Sequence, residues 1–199
     1  MLLRYAIALS LFSILSTSVF AQDDRIVAER KDASPVTIPL REALGDAAFK
    51  EAMESGRYFY AGNLKCRLCH RSFFEGRKKD AHDHAFEKII EARDAESPRC
   101  LGCHTTGFGV NGGFTSLLET PRLMNVQCEG CHGPGSEHIR LVGKGGFLAG
   151  PDRPEILKRM CLSCHNERWN RTFTHFDSAY ESYKKAKPSE TAPSTSSPQ

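Results

Sequence analysis

After its first 21 residues, the 199-residue chain contains no apolar run near the roughly 18 to 20 residues that cross a bilayer, which excludes a spanning helix in that part. It has no Gly-rich phosphate loop, no Gly-x-Ser-x-Gly elbow and no His-Glu-x-x-His. These absences remove the usual nucleotide-binding, serine-hydrolase and zinc-protease readings. It also lacks a strong charge imbalance, since 27 basic and 24 acidic residues leave a formal charge of only +3. Only one tryptophan and four methionines are present. No internal repeat of solenoid type is visible.

What is present begins with the leader. Arg4 precedes an apolar run over residues 5–15 and the small-residue exit Val19-Phe20-Ala21, which together read as a secretory signal peptide over residues 1–21. Gln22 then starts the mature chain, and no cysteine stands there to take a lipid. The competing reading of this stretch is an uncleaved membrane anchor. A periplasmic or secreted location follows from the first reading.

Eight cysteines in an exported chain first suggest four disulfides. Their arrangement points elsewhere. They fall as Cys66-Arg67-Leu68-Cys69-His70, Cys100-Leu101-Gly102-Cys103-His104, Cys128-Glu129-Gly130-Cys131-His132 and Cys161-Leu162-Ser163-Cys164-His165, so none is left over. With 8 histidines in the chain, all four pairs would be followed by one through chance about three times in a million, so the histidine belongs to the chemistry. A Cys-x-x-Cys-His unit attaches a c-type haem: the two sulfurs form thioethers along one edge of the macrocycle, and the next imidazole reaches the iron. Four covalent haems are therefore expected, with His70, His104, His132 and His165 as proximal ligands. Two zinc sites of four thiolates, or a redox dithiol, are the rivals; export and the fourfold histidine disfavour both.

Haem also changes the charge. Loss of Arg4 with the leader leaves 26 basic and 24 acidic residues. Each ferric haem adds about −1 and each ferrous haem about −2, so the loaded protein is net negative, roughly −2 oxidised and −6 reduced. Nucleic-acid binding finds no support in such a balance.

Along the chain, residues 22–57 read as an N-terminal arm and a helix, the helix over 39–55 having Pro39 in its first turn and Gly56 past its end. Residues 58–186 read as the tetrahaem domain and 187–199, rich in Pro, Ser and Thr, as a disordered tail. The glycines of 102–113 predict a loop wrapped closely on a haem. The motifs start at 66, 100, 128 and 161, spacings too uneven for a repeat array, and so many haems in a short chain must form much of its interior.

Four histidines remain for the distal sides. Residues 81–93 read as a helix with Asp80 as N-cap; on its wheel His82 shares a face with Ala85, Phe86, Ile89 and Ile90, while His84 lies beside Glu87, Lys88 and Glu91. His82 is thus expected as an axial ligand and His84 at the surface. His138 follows the turn Gly133-Pro134-Gly135, which returns the chain past the third motif and marks it as a second ligand. For His175, in Phe173-Thr174-His175-Phe176, ligand and structural roles both stand open. Met53, Met124 and Met160 read as core.

The chain resembles the multihaem cytochrome c-554 family. The resemblance rests on Tyr60-Ala61-Gly62, His82-x-x-Ala85-Phe86-x-x-Ile89, Cys103-His104-Thr105-Thr106-Gly107 with Gly112-Gly113-Phe114, and the run from Thr120-Pro121 through Cys128-Glu129-x-Cys131-His132-Gly133-Pro134-Gly135-x-x-His138. It implies a mainly α, small multihaem c-type cytochrome fold with long loops around closely packed haems, mostly bis-histidine irons, and electron transfer between redox partner proteins. It also favours His82 over His84 and supports His138. Two departures stand out: Arg77 occupies a position where relatives often carry tryptophan, and Lys184, Lys185 and Lys187 stand near the end where relatives carry histidine.

An exported electron carrier is the first functional reading. The alternatives are a reductase of a small nitrogen or oxygen species at a five-coordinate haem, with Arg77 or Lys79 as donor, and a subunit of an extracellular cytochrome filament. Ligand count separates the first two and particle size the third. The intact mass of the extracted mature protein is expected to exceed that of the chain from Gln22 by four haem masses; an unchanged mass, or retained zinc, overturns the assignment.

Overall fold

The computed structural model describes residues 36–76, 80–167 and 181. The leader, the arm to residue 35, Arg77, Lys79, His175 and the tail lie outside these residues.

Among the described residues the chain is helical, with one isolated antiparallel bridge, Thr105 to Met124, in place of a sheet. The segment expected as one helix over 39–55 is two, α1 (Pro39–Leu44) and α2 (Asp46–Glu54). The break is at Gly45, whose φ of 80° and ψ of 157° no helix accommodates. Arg41 bonds Asp46 across the corner at 2.7 Å. Because that pair is exposed, it adds little stability.

The first helix enters the core. Leu40 and Ala43 pack with Ala52, Leu148, Ala149 and Met160, so α1 rests on α9 (Pro154–Cys164), the helix that ends in the fourth motif. Arg159 Nε donates to the Ala43 carbonyl at 2.6 Å and fixes the end of α1 on this partner. A second cluster gathers Tyr60, Phe86, Ile89, Leu101, Val110, Phe114 and Leu123, with Met53 and Met124 against its side. The methionines therefore fill core.

The segment beginning at residue 81 starts more tightly than expected. Residues Ala81–His84 form a 3-10 turn before α5 (Ala85–Glu91). Asp80 caps it, accepting the His82 amide at 2.9 Å. A 3-10 turn rotates the chain about 20° more per residue than an α-helix. Phe86 and Ile89 reach the core, while Ile90, in the same regular helix, is 52% exposed.

In the glycine-rich loop a Cβ on Gly107, where φ is +77°, would lie 2.5 Å from the ring of the core residue Tyr60.

The first and third motifs are joined by one carboxylate. Glu129, in α7 (Cys128–His132), is 1% exposed. Its Oε1 accepts the amides of Ala61 at 2.8 Å and Gly135 at 2.7 Å, and its Oε2 accepts that of Gly62 at 2.7 Å. Alongside, Ser136 Oγ donates to the Arg57 carbonyl at 2.7 Å and accepts from the Phe59 amide at 2.9 Å. The Asn63 amide donates to Gln127 Oε1 at 3.0 Å. Residues 57–63 are thereby zipped along 127–136, which sets α3 (Asn63–Arg67) against the third motif.

Glu129→Gln keeps the shape but turns an amide N–H₂ toward backbone donors, leaving at least one buried group unsatisfied. It is expected to lower stability by about 2–4 kcal/mol, read as a fall in Tm of the loaded protein. An unchanged Tm removes this role.

Candidate metal centre

Each motif is about one turn of helix, which puts its two cysteines, three residues apart, on one side. The first leaves the end of α3, the second ends α6 (Pro98–His104), the third is α7, and the fourth ends α9. Pro98 and Pro154 sit at the first positions of their helices, where no amide partner is lost. At the first and fourth motifs the histidine amide donates to the carbonyl of the first cysteine, His70 to Cys66 at 2.9 Å and His165 to Cys161 at 2.8 Å.

None of the eight cysteines is paired in a disulfide. Cysteines of different motifs neighbour one another: Cys66 lies near Cys128, Cys103 near Cys164, and Cys131 near Cys161. These contacts string the motifs in the spatial order first, third, fourth, second.

The histidines meet in pairs. His82 Nε2 and His165 Nε2 face each other at 3.5 Å, with ring centroids 5.8 Å apart and planes at 88°. His70 and His138 have centroids 6.1 Å apart and planes 25° from parallel. Burial, then the neighbouring His82, lowers the pKa of His165, so its neutral form is favoured.

The opposite ring nitrogens are occupied. Nδ1 of His104 meets the Ala85 carbonyl at 2.6 Å, that of His132 the Ala149 carbonyl at 2.9 Å, and that of His138 the Gly145 carbonyl at 2.7 Å. Nδ1 of His82 meets Asp80 Oδ1 at 3.1 Å. Each acceptor assigns the proton to Nδ1 and leaves the Nε2 lone pair for a metal. Phe147 lies between two of these rings, stacked on His138 at 4.2 Å and tilted against His132 at 5.0 Å. His84 is set apart: it is exposed, and its Nδ1 meets Glu87 Oε1 at 3.0 Å.

The donor set fits c-type haem. Two imidazole–metal bonds of roughly 2 Å span about 4 Å between nitrogens, and the His82 and His165 nitrogens stand half an ångström short of that. Among the described residues no three Cys, His, Asp or Glu side chains converge into a metal cage, as a zinc-thiolate site requires. Sequence reasoning did not find Phe147 or the three carbonyl partners. The glycine cluster at 143–146 was the one available signal, because Gly145 at φ +78° turns its carbonyl toward His138.

No helix among the described residues is long and apolar enough to cross a membrane. Residues 65–133 match the family described as cytochrome c554 and c-prime. Cytochrome c-554 of Nitrosomonas europaea is 36% identical over 135 residues, which cover 53% of this chain and 57% of the relative. No solved structure gives a significant match. The segment that carries the first three motifs is thus similar to the cytochrome c554 and c-prime family, and the chain spans little more than half the length of the curated relative it matches.

Proposed function

We propose that this protein is an exported, periplasmic tetrahaem electron carrier that passes electrons between redox partner proteins. The observation that carries the reading is the facing pair His82 and His165, whose nitrogens leave the gap of a bis-histidine iron. The stacked pair His70 and His138 supports it. The eight motif cysteines hold the four haems, and His70, His104, His132 and His165 supply the proximal nitrogens. When bound, the haems supply one-electron exchange.

The chain's own contribution is to hold the ligands still. Anchored Nδ1 atoms keep each imidazole in one tautomer and one orientation, so a change of iron charge requires little rearrangement of the protein. The motif order first, third, fourth, second gives neighbouring haems along one path. Substituting His82 or His138 with Ala is expected to convert one low-spin iron to high spin in the ferric EPR spectrum, and His84→Ala to convert none. If His84→Ala alone does so, the ligand set is wrong.

Histidine count favours one further property. Of eight histidines, four are proximal, His82 and His138 serve two irons, and His84 is turned to solvent on Glu87. His175 is then the only histidine left for the two irons bound by His104 and His132, so at least one iron is open. Carbon monoxide is expected to shift at least about a quarter of the reduced Soret band, since one haem of four responds. An unchanged band means full closure. Rapid catalytic reduction of nitric oxide or hydroxylamine, faster than exchange with a redox partner, would instead favour the reductase.

A further inference from the structure

The four proposed ligands with anchored Nδ1 atoms are not anchored alike. His104, His132 and His138 meet neutral backbone carbonyls, at Ala85, Ala149 and Gly145. His82 meets the carboxylate of Asp80, at 3.1 Å. The same oxygen accepts the His82 amide at 2.9 Å, so Asp80 is fixed by its capping bond as well as by the ring. The pair is partly withdrawn from water, with Asp80 28% and His82 41% exposed as side chains. Screening is therefore incomplete.

A carboxylate on Nδ1–H draws that proton toward itself and makes Nε2 a stronger electron donor; a carbonyl does so much less. A more basic ligand and a nearby negative charge both stabilise ferric iron over ferrous, because the ferric state carries one more positive charge. The effect is confined to one position in the motif order. His82 faces His165, so it falls on the fourth motif, an interior member of the first, third, fourth, second sequence.

We propose that Asp80 is a positioning and tuning residue that, through His82, makes the iron between His82 and His165 the hardest to reduce of those whose ligands are anchored in this way. The proposal rests on His82 and His165 both binding iron. It adds that one charged oxygen two residues upstream of a ligand differentiates that haem from its neighbours.

The test is Asp80→Asn in the haem-loaded protein. Asparagine keeps an oxygen that caps the turn and accepts from Nδ1, so geometry is retained while the charge is lost. In a spectroelectrochemical titration the lowest of the resolved potentials is expected to rise, its redox equilibrium constant changing about tenfold, which is about 59 mV for one electron. The other potentials are expected to move by clearly less, and every iron that was low-spin is expected to stay so. Glu87→Gln is the control, because Glu87 holds His84 at a similar distance of 3.0 Å; it is expected to leave the lowest potential in place. An Asp80→Asn protein with unchanged lowest potential and unchanged spin states overturns the proposal. So does a Glu87→Gln shift of equal size, which would show only the general effect of a lost charge. The underlying ligand reading fails separately, if His82→Ala leaves all low-spin irons intact. Should Asp80→Asn load haem poorly, Asp80→Glu supplies the second measurement: it retains the charge, and a potential that rises as far as expected for Asn overturns the proposal.

Discussion

A single carboxylate decides where the first motif lies. Glu129 is taken out of water with its charge, which is tolerable only because three backbone amides point at it. Those amides come from residues 61, 62 and 135, that is, from the approach to the first motif and from the turn that presents His138. The helix that opens the first motif, α3, buries no residue of its own. Hydrogen bonds hold it, whereas α9 contributes Leu157 and Met160 to the interior. His70 and His138 come face to face because both ends of this clasp are fixed to one side chain.

The parts of this arrangement that sequence made legible are those in which chemistry dictates spacing. Thioether attachment demands two cysteines three residues apart with histidine next, and that pattern stands four times in the sequence. The apolar stripe of Phe86 and Ile89 after His82, and the turn before His138, were legible in the same way and are present in the structure. What sequence hid falls into two kinds. Local geometry departed from the pattern in two places: Gly45 splits an otherwise continuous helical period, and Ala81–His84 open as a tighter 3-10 turn. Long-range pairing was invisible altogether, because the facing of His82 with His165 joins residues 83 positions apart, and the carbonyls of Ala85, Ala149 and Gly145 have no side-chain signature.

The spatial order of the motifs is not their order along the chain. The first lies beside the third and the second beside the fourth, so every neighbouring pair except the third and fourth is separated by an intervening motif. Attachment chemistry is local to five residues, whereas assembly of the path closes loops of about 60 residues, a slow kind of folding step. The network around Thr106 shows how the closure is held. Its hydroxyl donates to the Asn125 carbonyl and accepts the Gln127 amide, while Asn125 Oδ1 accepts the Phe86 amide, linking the second motif, the approach to the third and the helix after His82.

Phe147 has a consequence for how such a protein can change over generations. Its ring touches the imidazoles of both His132, in the third motif, and His138, which stacks on His70 of the first. The orientations of the two rings are therefore set from a shared wall. A substitution at 147 disturbs both at once, so their surroundings drift together, whereas His82 has its own neighbour at position 80.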